Sequence, residues 1–121
     1  MRVDLESYLM ANKSINASLS YAQESDRILV VRLSPPGMVE RKGHYLTFGT
    51  VLTFSGPVYW HFETIEMGSD EETIAEVERF EITQDYSPLI ARGTFHLYKL
   101  GIVKVTAGSA QLFDKPIEPM R

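Results

Sequence analysis

Apolar and polar residues alternate with a period of two along most of this chain, which is the pattern of strands with one buried face. In Ser14–Tyr21, Ile15, Ala17, Leu19 and Tyr21 alternate with Ser14, Asn16, Ser18 and Ser20. Arg27–Leu33 follows the polar run Gln23–Asp26, and the two segments predict a hairpin. Ser34-Pro35-Pro36-Gly37 then ends the second strand, because neither proline can donate to a ladder. His44–Phe54 is the clearest strand. Leu46, Phe48, Leu52 and Phe54 share one face with Thr50 between them, and Gly49 on the other face marks a bulge or a close backbone approach. Ser55-Gly56-Pro57 reads as a turn. Val58–Glu66 is expected to return antiparallel to His44–Phe54.

Helical spacing enters at two places. Leu5, Tyr8 and Leu9 are spaced for a short N-terminal helix. Ser69-Asp70-Glu71-Glu72 has the form of a capping box, and Ile74, Val77 and Phe80 then fall on one helical face. The rival reading of the second stretch is a hairpin turn at Gly68–Glu72 followed by a strand. Phe80 and Ile82 alternate with Glu81 and Thr83, so a strand is expected to begin there. Thr94–Lys99 and Ile102–Ala107 predict a tight hairpin around Leu100-Gly101, with Phe95 and Leu97 on one face and Val103, Val105 and Ala107 on another. Gly108-Ser109 is read as a turn into a last short strand, Ala110–Phe113, and the two-proline tail 114–121 is expected to fray.

These elements predict a mainly β fold: seven to eight mostly antiparallel strands, closed as a sandwich or a flattened barrel, with one or two short helices. No βαβ alternation is present to build a parallel sheet. A chain of 121 residues fits one domain, 1–121, since two would each be too small for a good core. Its 44% hydrophobic and 23% charged residues speak against a disordered chain. With no cysteine there is no disulfide framework, no thiol nucleophile and no cysteine-held metal. Asp4 and Glu6 interrupt any signal-peptide core, and no apolar run reaches the roughly 18 residues that span a bilayer. The expectation is a complete cytoplasmic protein without a membrane partner. Net charge is −4 and the 12 basic residues are scattered, the densest pair being Arg41-Lys42, which argues against nucleic acid as a partner.

Nucleotide-binding glycine loops, nucleophile elbows and HExxH zinc motifs are absent from the sequence. Gly108-Ser109-Ala110 lacks the second glycine of a nucleophile setting, so Ser109 is read as a turn serine. His44, His61 and His96 each lie on a predicted strand. If the strand bearing His96 lay beside His61 and Glu63, the three would make a two-histidine, one-carboxylate site; hydrogen-bonded sheet histidines are the simpler reading. Neither a catalytic residue nor a cofactor is expected. Glu71-Glu72 and Glu76/Glu78 read most simply as a solvated acidic face.

Two features point to binding. The run Val58-Tyr59-Trp60-His61-Phe62 puts Trp60 and Phe62 on one face and Tyr59 and His61 on the other, so the strand is either covered twice or exposes rings. From Glu63 to Asp85 there are nine acids and one base, Arg79, whereas residues 1–60 hold six bases and five acids. An apolar ring cluster with a carboxylate rim has the anatomy of an interface. The expected binding residues are Tyr59, Trp60, His61, Phe62, Glu63, Glu71, Glu72 and His96.

The combination of YLTFGTVLTF with the late hairpin FHLYKLGIVKVTAGSAQLF resembles the layout of small bacterial β-rich immunity-type and uncharacterised families. The resemblance rests on alternation and a few glycines and carries over no site residue. The acidic surface with its aromatic anchor is expected to neutralise a basic protein partner, as an immunity protein does. The alternatives are a small-molecule-binding barrel or minor enzyme, with a pocket of Tyr59, Trp60, Phe62 and a histidine, and a subunit that self-associates through exposed strand edges.

Overall fold

A computed structural model of the chain describes residues 2–12, 14–23, 27–34, 43–80, 82 and 84–114. Among these residues, eight antiparallel strands form one curled, half-barrel sheet, accompanied by three short helices. In chain order they are β1 (Arg2–Val3), α1 (Leu5–Ala11), β2 (Ile15–Gln23), β3 (Ile28–Ser34), β4 (His44–Ser55), β5 (Tyr59–Phe62), β6 (Ile65–Met67), α2 (Asp70–Arg79), α3 (Ser87–Ala91), β7 (His96–Leu100) and β8 (Val103–Phe113). The strands run β5-β2-β3-β4-β8-β7-β6 across the sheet, and β1 adds to the far end of β8. The first and last strands of that path, β5 and β6, are consecutive in the chain, with Glu63-Thr64 between them. The chain thus passes directly from one edge of the curl to the other. The predicted mainly β, antiparallel class is the observed one.

Local pairings follow the sequence pattern. The β2–β3 hairpin and the β7–β8 hairpin around Leu100-Gly101 are both present. Non-local pairings do not follow it. Val58–Glu66 does not return along β4, because β3 and β8 already occupy both edges of that strand. The segment instead splits into β5, which pairs with β2, and β6, which pairs with β7.

Gly108-Ser109 is also not a turn. It lies in the middle of the eleven-residue β8, which runs beside the twelve-residue β4. Here the two strands approach closely: a Cβ on Gly49 would meet Ser109 Oγ at 2.7 Å, and one on Gly108 would sit 3.5 Å from Thr50 Cβ. Thr50 has φ +51°, and the ladder slips by one residue between Val51 and Thr53. The bulge therefore falls at Val51–Thr53 rather than at Gly49, which pairs in register with Ser109. The bulge turns Leu52 away from the cluster that holds Leu46, Phe48 and Phe54, and so breaks the single face predicted for all four.

The main core fills the inside of the curl. Ile15 and Ala17 of β2, Val31 and Leu33 of β3, Leu46 and Phe48 of β4, and Val105 and Ala107 of β8 are buried there, joined by Tyr8 from α1. Leu5 and Leu9 of the predicted N-terminal helix pack beside Tyr8, as their spacing requires. A smaller cluster of Val77, Tyr86, Ile90 and Phe95 lies under α2 and α3, with Leu52 of β4 packed against it.

The capping box of α2 is complete. Ser69 Oγ accepts from the Glu72 N–H, and Glu72 Oε1 accepts from the Ser69 N–H, each at 3.1 Å. The helical reading of 70–79 therefore holds over the hairpin reading. Phe80, expected on the buried face, is the half-exposed C-cap, with the Arg79 guanidinium 4.9 Å from its ring centroid. Ile82 is not in a strand. α3 begins shortly after, and five residues around Pro88 are too few to register a helical period. The Arg41-Lys42 pair, the proline stop at 35–37 and all of the tail but Asp114 lie outside the described residues.

Candidate functional site

Strand β5 settles which rings of the aromatic run are buried. Its inward positions are Trp60 and Phe62, at 5% and 2% exposure, and both belong to the main core. The indole stands edge-on to Phe54, with ring centroids 6.3 Å apart. The outward positions are Tyr59, 68% exposed, and His61, followed by exposed Glu63. Half of the expected aromatic site is thus core and half is surface. Val58, just before the strand, and Ile102, in the β7–β8 turn, are also exposed, at 63% and 70%.

Ile102 reaches this region because the β7–β8 turn nests on β5. Gly101 has φ +63°, and a Cβ there would lie 3.2 Å from the His61 carbonyl oxygen and 3.1 Å from Phe62 Cβ. A side chain at that position would be strained by the backbone conformation and crowded by these neighbours. Gly56, at φ +132°, holds the β4–β5 turn against Val103 in the same way.

Between β5, β6 and this turn lies a cleft of about 440 Å³, lined by His61, Glu63, Thr64, Glu66 and Lys99 among others. His61 Nε2 is hydrogen-bonded to Ser14 Oγ, which ties the imidazole to the start of β2. Among the described residues Lys99 is the lysine or arginine of the cleft wall. It pairs in register with Glu66 on one side and Lys104 on the other. Its ammonium is bound to the Glu72 carboxylate. That contact, aided by the Ser69 backbone N–H, holds the Glu72 carboxyl below the usual carboxylate range. Glu72 therefore joins α2 to β7 rather than standing free, whereas Glu71 is exposed beside it.

The acidic segment is also less uniform than a solvated face. Glu76 is buried and accepts two hydrogen bonds from the Arg79 guanidinium, at 2.9 and 3.2 Å, and Arg79 also donates to Ser55 Oγ. Asp85 accepts from the Ser87 N–H at 3.0 Å, and that bond lowers its pKa. Glu63, Glu66, Asp70, Glu71 and Glu78 are exposed.

The three histidines go to different places. His61 is on the outer surface of β5. The His44 ring lies against Tyr8, tilted by 46° with centroids 4.6 Å apart. His96 lies opposite Ala107 on β7, past the end of the β6 ladder, with its ring edge-on to Tyr98 at 6.2 Å. Among the described residues no group of three or more histidine, aspartate or glutamate side chains is placed to hold a metal ion. No helix among the described residues is long and apolar enough to cross a membrane. No family model, no curated protein and no solved structure matches the chain.

Proposed function

We propose that this chain is a non-catalytic binding module that engages a basic protein partner through the outer surface of β5 and the acidic cleft beside it. The observation that carries this reading is the division of one four-residue strand. Trp60 and Phe62 anchor it in the core, and Tyr59 stands out in solvent shortly before the carboxylates Glu63 and Glu66. Tyrosine supplies a large, rigid contact area with a polar tip, as interface hot spots do. The carboxylates form a charged edge that steers a cationic partner. The nearby cation, Lys99, is already engaged by Glu72. Positive charge brought by a partner therefore meets Glu63, Glu66 and Glu71.

Panning a displayed random-peptide library against the protein tests this while leaving the identity of the partner open. Enriched peptides are expected to combine arginine or lysine with an aromatic residue and to bind more weakly as salt rises. They are expected to lose binding to Tyr59→Ala and to the Glu63→Lys, Glu66→Lys double variant. Enrichment of acidic peptides, or binding that both variants retain, overturns the reading.

A further inference from the structure

A second cleft is larger than the acidic one. It has a volume of about 500 Å³ and shares no lining residue with the site at β5. We propose that it binds a small amphipathic carboxylate, with Arg27 receiving the charged end and the apolar wall receiving the tail.

The cleft exists because the two cores fail to meet at this end of the sheet. Leu29 and Val51 on its wall belong to the main cluster, whereas Leu52, Ile82 and Tyr86 belong to the one under the helices. The slip in the β4 ladder at Val51–Thr53 sends consecutive side chains to the two clusters and opens the gap between them. Its volume lies within the range of small-molecule pockets, and its wall is mainly apolar, as such pockets are.

The charge of the lining selects the ligand. In a chain of net charge −4, the described wall of this cleft has Arg27 as its single charged residue and no carboxylate. Among the described residues nothing pairs with the Arg27 guanidinium. The Tyr86 hydroxyl is already committed, donating to Gln84 Oε1 at 3.3 Å. One free cation over an apolar wall suits a ligand with one negative charge and a hydrocarbon or aromatic body. A dianionic phosphate would call for more donors than the wall offers.

The backbone around the cleft is unusual in a way that agrees. Among the described residues the non-glycine positions with positive φ are Arg27, at +52°, and Thr50, at +51°. They are linked through this region: the Arg27 carbonyl accepts from the Val51 N–H at 2.8 Å, immediately after Thr50. Left-handed backbone at an arginine and a β-branched residue is unfavourable, and such positions concentrate at ligand sites.

Isothermal titration of the protein with decanoate and with decanol, each below its aggregation threshold, tests the proposal. Decanoate is expected to bind saturably and about tenfold more tightly than decanol, the margin of one charge-assisted hydrogen bond. Arg27→Asn keeps a residue that tolerates left-handed backbone and removes the charge; it is expected to bring decanoate down to the level of decanol. Ala22→Trp, at the exposed rim, is expected to block both ligands while the circular dichroism spectrum stays that of the parent. Glu63→Lys, in the other cleft, is expected to leave both affinities unchanged. Equal affinity for decanoate and decanol in the parent protein overturns the proposal. So does saturable binding of neither, or decanoate binding unaffected by Arg27→Asn.

Discussion

The inner face of the curled sheet is filled by one apolar cluster reaching from Tyr8 to Leu112, whereas the outer face is finished piecemeal. α2 packs across β4, β7 and β8, while Tyr59, His61, Glu63 and Glu66 remain in solvent. Both faces come from the same alternating strands. Stability is therefore expected to reside mainly on the inner side, and recognition on the uncovered part of the outer side.

Truncation of a fully buried inner residue sets the upper end of this contrast. Phe48→Ala removes a ring that lies at the centre of the main core and edge-on to Tyr98. It is expected to destabilise the fold by about 3–5 kcal/mol in urea unfolding. Ile90→Ala, in the smaller cluster, is expected to cost about 2–3 kcal/mol, because fewer neighbours surround the cavity. Hydrogen exchange is expected to show the Ile90→Ala loss mostly as local opening of α2 and α3. If the two substitutions cost the same and both open the whole sheet, the two clusters are one cooperative core.

Ser69→Ala removes the N-cap oxygen of α2 and is expected to cost about 1 kcal/mol, with the loss of helical signal confined to residues 70–79. The smallest effect belongs to the Glu72–Lys99 link. The Glu72 pKa is lowered in the folded state, so its contribution is present above the unfolded carboxyl value of about 4.3 and is lost as pH falls through the folded one. Glu72→Gln is accordingly expected to lower stability slightly at neutrality, with the difference from the parent closing as pH falls through the acid range, so that the acid limb of the profile is flattened. A difference that instead grows with pH above neutrality would contradict this assignment.

Much of this architecture is legible in the sequence wherever the cause is local. The β2–β3 and β7–β8 hairpins are set by alternation and short turns, and α2 by Ser69 and Glu72, whereas the slip in β4 falls beyond Gly49, at Val51–Thr53. Pairing between distant segments is not legible. Nothing in Tyr59–Phe62 indicates β2 as its neighbour, and that pairing depends on both edges of β4 being taken by other strands. The same limit applies to the site. Alternation separates Tyr59 from Trp60 and Phe62, but only the curl decides which pair is inside. Lys99 and Glu66 join the site through the β6–β7 ladder. Five separated stretches of chain build the Arg27 cleft, and none carries a motif of its own. Glu76 reads as surface because its partner Arg79 is also its helical neighbour, and burial of such a pair depends on what the helix packs against.

The most direct test of the division between faces is an amide chemical-shift titration of the labelled protein with a deca-arginine peptide. Saturable shifts are expected to centre on Tyr59–Glu66 and Lys99 and to fade as salt is added, while Leu33, Leu46 and Val105 stay unmoved. Shifts centred elsewhere on the surface, or no saturable change at low salt, would contradict that division.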